Sequence, residues 1–152
     1  MEHVTDRHAL EVLSTAESLR LLGSRPLGRL AYVDRGAPSI VPVNHLVDGH
    51  TVVFRALHGA KSDALLMGRP VAFEVDDHDP SRRVGWSVLV RGTATPVSDE
   101  EARRFAAELD SWAADTAVRH TIVRLVPDEI TGRRLRERTE ALVTQDQGPS
   151  DL

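Results

Sequence analysis

The stretch Thr51–Met67, TVVFRALHGAKSDALLM, decides how the chain is read. It opens with Thr51, Val52, Val53 and Phe54, a β-branched and aromatic run of strand character. It then changes to Arg55, His58, Gly59 and Lys61, before a short apolar helical pattern at Ala64, Leu65 and Leu66. Strand, basic turn and helix start have a physical use in that order. Gly59 lets the backbone approach a ligand, the first helical amides lack carbonyl partners, and two cationic side chains stand beside them. Together these predict a phosphate site. For this segment alone, a solvated turn with two surface cations is the alternative, because basic residues are mostly exposed.

Working outward, 152 residues suit one domain or the compact subunit of a dimer. Hydrophobic residues make up 41% and charged residues 28%, which fits a globular chain and argues against wholesale disorder. Without cysteine, disulfides, zinc ribbons and thiol catalysis are excluded. The start, MEHVTDRHALEVL, is charged, and no later run approaches bilayer-spanning length, so a cytoplasmic protein without a membrane partner is expected. A net charge of −4 and a pI near 6.0 give no global pull on nucleic acid. Any anion site has to be local.

In chain order, residues 1–13 read as a loosely attached N-terminal arm. Ser14 and Glu17 match a capping box, and Leu19 and Leu22 give a short helix its buried stripe until Gly23 and Pro26 end it. GRLAYVD, Gly28 to Asp34, reads as a strand with Leu30 and Tyr32 on one face, closed by the turn Asp34, Arg35, Gly36. PSIVPVNHL, Pro38 to Leu46, is the second strand. Pro42 in its middle has no amide to donate, so this strand is at an edge, bulged, or faces something other than a strand there. Asp48-Gly49 is the next hairpin turn and leads into the opening stretch as strand three.

Val71 to Val75 is strand four, with Asp76 to Pro80 a polar excursion, and Val84 to Val97 is a long fifth strand. Gly92 within it suggests a bulge or sharp bend. Ser98 and Glu101 form a second capping box, ahead of an amphipathic helix carrying Ala102, Phe105, Ala106, Leu109 and Trp112. His120 to Val126 is a sixth strand and Ile130 to Leu135 a short seventh. The architecture predicted is mainly β: a six- to seven-stranded antiparallel split β-barrel with added helices over 14–138, and a flexible C-terminal tail over 139–152.

The succession GRLAYVDRGAPSIVPVNH, VVFRALHGAKSDAL, VAFEVD and GWSVLVRGTATPV resembles the pyridoxamine 5′-phosphate oxidase-like flavoproteins, the FMN-binding split barrels. The likeness covers roughly Ser14 to Leu135. It implies a homodimer with FMN at the subunit interface. It further implies contacts along the flavin ring from Val41, Pro42, Val43 and Asn44, a phosphate held by Arg55, His58, Gly59 and Lys61, and a contact from Trp86 and Ser87, often of the other subunit. The chain departs from the pattern at Gly59, Ala60 and Lys61, where the oxidases have a Ser-Arg-Lys run, so Arg55 and His58 are the candidates to replace the lost donors. The segment with which true oxidases hold their substrate's phosphate has no counterpart after Leu135. Shorter relatives look like flavin reductases, and some members of the wider superfamily use a deazaflavin or bind haem.

The chemistry of these residues stands beside the resemblance. A lysine, an arginine and unpaired amides offset much of a phosphate's desolvation cost, and Asn44 suits the amide edge of a flavin ring. Singly, Asn44 is as readily a strand-end cap and Trp86 a packed core indole. A flavin carries hydride chemistry itself, so no catalytic acid or base is assigned; His45 is the nearest candidate, and a polar strand-end role suits it better. Glu74, Asp76, Asp77, His78 and Asp79 are metal-ligand types without metal-ligand spacing, and no metal is expected. Arg133, Arg134, Arg136 and Arg138 read as a charged surface face.

The expected function is an FMN flavoprotein passing hydride from NADH or NADPH to a small-molecule acceptor. One alternative is a deazaflavin-dependent reductase, for which the arginine cluster would meet the longer anionic tail. Another is a flavin- or haem-binding carrier or sensor that is not an enzyme.

Overall fold

The computed structural model describes residues 8–57, 60–109 and 120–137. Seven strands form one antiparallel sheet: β1 (His8–Leu13), β2 (Leu27–Asp34), β3 (Ala37–Asp48), β4 (Thr51–Leu57), β5 (Pro70–Asp79), β6 (Val84–Pro96) and β7 (His120–Glu137). Their order is β1-β7-β4-β3-β2-β5-β6, and β6 also pairs with β7, so six strands close a barrel and β1 is added at its side. This is the mainly β split-barrel architecture that the sequence predicts. Helices α1 (Thr15–Leu22), α2 (Ala60–Leu65) and α3 (Asp99–Ala106) lie between the strands.

Turn chemistry sets the registers. Asp34 pairs with Ala37 across Arg35 and Gly36, whose φ values of 50° and 77° are the two left-handed conformations of a tight hairpin. Asp48 pairs with Thr51 across Gly49, at φ 61°, and His50. The bend expected at Gly92 is a register shift between Arg91 and Gly92, opposite Pro127. A Cβ at Gly92 would stand 2.0 Å from the Val126 carbonyl oxygen, so the close approach of β6 to β7 requires glycine.

Alternation fills the barrel. Leu30, Phe54, Phe73, Val88, Val90 and Leu125 are buried in one cluster, and the Phe54 and Phe73 rings lie nearly parallel with centroids 6.3 Å apart. Outside the barrel wall, Val53 and Ile122 pack under Phe105 and Leu109 of α3 and its last turn. Both helix starts form as read: Ser14 Oγ accepts from the Glu17 amide at 3.1 Å, and Ser98 Oγ from the Glu101 amide at 3.2 Å. Trp112, the last residue of the expected apolar stripe, lies outside the described residues.

Three elements differ from the sequence reading. His8–Leu13, placed there in a loosely attached arm, is a strand in register with Gly132–Glu137, and Leu13 is buried. Its exposed Leu10 and Val12 break the apolar-in, polar-out signal, which is why alternation does not reveal it. Strand β5 continues through Asp76–Asp79, because these residues pair with Val84–Ser87 and the turn is made by Pro80 to Arg83, with Arg83 at φ 54°. The two short strands expected on either side of Pro127 are one, since the bulge accommodates the missing amide donor.

Candidate functional site

The barrel opens where β3 leaves β4. Pairing between them runs from Asp48↔Thr51 to His45↔Phe54 and stops. Beyond it, Val41–Asn44 pair only with Leu27–Leu30 of β2 among the described residues, and Arg55–Leu57 pair only with β7. One backbone edge of Val41–Asn44 therefore carries no ladder there, and Pro42, which has no amide to leave unsatisfied, sits in the middle of it. The chain runs from the end of β4 into α2, which packs against β2 and β4.

Side chains along this edge alternate. Val41 and Val43 pack against the barrel core, while Pro42 and Asn44 point to the outer face. Successive registers extend that face across four more strands. Pro42, Arg29, Glu74, Leu89 and Thr131 make one transverse row. In the next, Asn44 pairs with Leu27, while Asp76, Ser87 and Arg133 line up on the far side. Ser87 thus shares a face with Asn44 and Pro42. Trp86, its neighbour, faces the other way and packs partly buried against the core, so the two side chains cannot meet one ligand from the same side of the wall.

The basic turn is placed only in part. His58 and Gly59 lie outside the described residues, and Lys61 belongs to α2, its side chain outside the described set. α2 has six residues, so its dipole contributes little and any phosphate would rest on backbone amides and cations. Arg55 is turned toward α3, where its Nη2 donates to the Ala106 carbonyl oxygen at 2.7 Å.

His45 is structural. Its Nε2–H donates to the Leu22 carbonyl at 2.7 Å, and its ring meets Phe73 edge-on at 4.8 Å. Burial holds its pKa below the usual imidazole value, so it is a neutral ring tying β3 to the end of α1.

One group on the outer face takes its character from a partner on another strand. Glu74, read there with the metal-ligand types, stands beside Arg29, 3.6 Å away, and close to Asp76, itself 3.4 Å from Arg29. Burial, and then Asp76, push the Glu74 carboxyl above its ordinary range, with Arg29 offsetting part of the shift. Continuing the period of two from Phe73 through Asp77 would have placed it; the cross-strand arginine is set by topology. Within the arginine cluster Arg134 and Arg136 are engaged, and Arg138 lies outside the described residues. Arg134 Nη2 donates to Glu17 at 2.8 Å and Arg136 Nε to Glu11 at 2.5 Å. Among the described residues no group of three or more acidic or histidine side chains could hold a metal ion, and no helix is long and apolar enough to cross a membrane.

The family model of pyridoxamine 5′-phosphate oxidase matches residues 14–134. The chain belongs to this family. Among its relatives is the uncharacterised protein Rv0080 of Mycobacterium tuberculosis, 40% identical over 129 residues, covering 81% of this chain and 84% of that one. The solved FAD-binding protein of Mycobacterium smegmatis is 38% identical, with a TM-score of 0.65 over 84% of this chain and 100% of that one. A Corynebacterium glutamicum protein classed with the pyridoxamine 5′-phosphate oxidases is 34% identical, with a TM-score of 0.70 over 83% and 98%.

Proposed function

We propose that the chain binds a flavin along the open edge of β3 and uses it as an oxidoreductase. The observation that carries this reading is the parting of β3 from β4 after His45 and Phe54, which leaves the far edge of Val41–Val43 outside any strand ladder among the described residues and open to a planar ring. The fit is chemical as well as spatial. Backbone groups along that edge and the Asn44 amide on the outer face match the donors and acceptors of a flavin's pyrimidine rim. Arg55 stands on the strand that diverges, His58, Gly59 and Lys61 follow it in the sequence, and Lys61 is the cation we assign to the phosphate.

The same reading makes the protein a homodimer. Ile40, 69% exposed, Val33 and Leu27 lie with Pro38 and Pro42 on one outer face, an apolar surface that a second copy would cover. Ser87 is then the residue of β6 offered to the flavin, either within one subunit or across the pair. A bound flavin supplies hydride transfer; the chain's residues hold it, orient it and shield one face from water. FMN is the minimal cofactor, with NADH or NADPH as the donor and a small molecule as the acceptor.

The absorption spectrum of the purified protein, followed by identification of what denaturation releases, tests the cofactor. A flavin spectrum bleached by NADH or NADPH and restored by an acceptor supports the enzyme. A bound flavin that no nicotinamide reduces favours a carrier, and a deazaflavin or haem in the released fraction overturns the flavin assignment.

A further inference from the structure

The pleat of β7 divides its arginines between two faces. Arg134 and Arg136 turn toward Glu17 and Glu11, whereas Arg133 pairs with the exposed Ser87 of β6 and shares the outer face with it. On that face the carboxylates of the described strands already stand against other arginines. Glu74 and Asp76 lie 3.6 Å and 3.4 Å from Arg29, Glu129 lies 3.3 Å from Arg91, and Glu137 lies 3.9 Å from Arg82. Arg133 is left over: it makes no ion pair or hydrogen bond among the described residues.

Its surroundings are apolar. Its partner on β1 is Val12, 77% exposed, followed on the same face by Leu10, 58% exposed, and the half-buried Leu89 lies diagonally across β6. An anion with an apolar body gains twice here, through paired N–H bonds to the guanidinium and through contact with these side chains. The place matters as much as the chemistry. Ser87 is the residue of β6 that the flavin reading offers to the ring, and cross-strand partners stand roughly 5 Å apart, so a group held by Arg133 lies beside the flavin.

We propose that Arg133 is a specificity-determining residue for the small-molecule substrate, holding the carboxylate of an aromatic acid whose ring reaches past Ser87 to the flavin. The proposal rests on the flavin reading above and adds the substrate class: aromatic monoanions in preference to their neutral counterparts.

The test uses the protein loaded with whichever flavin it binds, FMN or FAD, and the redox-inert pair benzoate and benzamide, which differ in charge at nearly equal shape. Affinity is read by calorimetry and position by the change each ligand makes in the flavin absorption spectrum. Wild type should bind benzoate about tenfold or more tighter than benzamide, with a shifted flavin spectrum. Arg133→Gln should lose that preference, Arg133→Lys should keep most of it, and both should hold flavin as wild type does. Arg133→Met serves if the glutamine variant fails to fold. Equal wild-type affinities, a preference that survives Arg133→Gln, or benzoate binding that leaves the flavin spectrum unmoved would each overturn the proposal. So would weaker flavin binding by Arg133→Gln, which would give this cation to the flavin's own phosphate. All four outcomes leave the flavin reading intact, whereas binding of neither flavin overturns both.

Discussion

Arg55 on β4 donates to the carbonyl oxygen of Ala106 at 2.7 Å, so a cation that the sequence offers to a phosphate also closes the end of a helix. The C-terminal carbonyls of α3 have no intrahelical donors, and a guanidinium there satisfies one of them and complements the helix dipole. Replacement of Arg55 by Met keeps the stem and removes the bond. For a partly exposed charged hydrogen bond the expected loss is about 1 kcal/mol in the flavin-free protein, read as a melting temperature lowered by a few degrees. A variant that melts with wild type would show that the bond contributes nothing.

Lys61 carries the complementary expectation. A lysine that serves a ligand and not the core can be removed without cost to the fold. Lys61→Ala should weaken flavin binding by roughly one to two orders of magnitude, the scale of a charge-assisted bond to phosphate, while the flavin-free melting temperature holds. Titration calorimetry with FMN measures the first and thermal unfolding the second. Unchanged affinity would remove this lysine from the site.

These two residues show how far the sequence reaches. Strand, turn and cap signals act over a few residues, and Ser14, Ser98, the Arg35-Gly36 turn and the bend at Gly92 form as their chemistry predicts. Pro42 even signals that its strand faces something other than a strand. What was not legible depends on partners far away in the chain. Arg55 meets α3 51 residues on, and Arg29 lies against Asp76 across 47. The edge strand β1 was missed because its outward side chains are apolar, so its pattern does not distinguish core from surface.

Gly28 marks a packing constraint on the wall behind the site. A Cβ there would stand 2.1 Å from Cζ of Phe73, so the ring lies where a side chain would go. Phe73 is fully buried between neighbours and cannot retreat. Gly28→Ala should cost about 1–3 kcal/mol by overpacking. The smaller Phe73→Leu should be less damaging in the Gly28→Ala background than alone, and a double-mutant cycle in denaturant reads that coupling. Strict additivity would mean that the ring and the glycine do not constrain one another.

Glu74 makes a prediction in pH. Its folded pKa is raised above an unfolded value of about 4.5, chiefly by burial and then by Asp76, so the protonated carboxyl is the form the fold favours. The linkage sign follows: stability from this group is complete below the unfolded value and is lost as pH rises through the higher folded one. Glu74→Gln fixes a neutral side chain of nearly the same shape. At pH 7 the variant should therefore melt above wild type, and the difference should shrink as pH falls and the wild-type carboxyl takes up its proton. Arg29, 3.6 Å away, sets the opposing effect, because removing the carboxylate also removes its attraction. If the variant melts below wild type at pH 7, that attraction outweighs the cost of burial, and the outer face is held together by the Arg29–Glu74 pair.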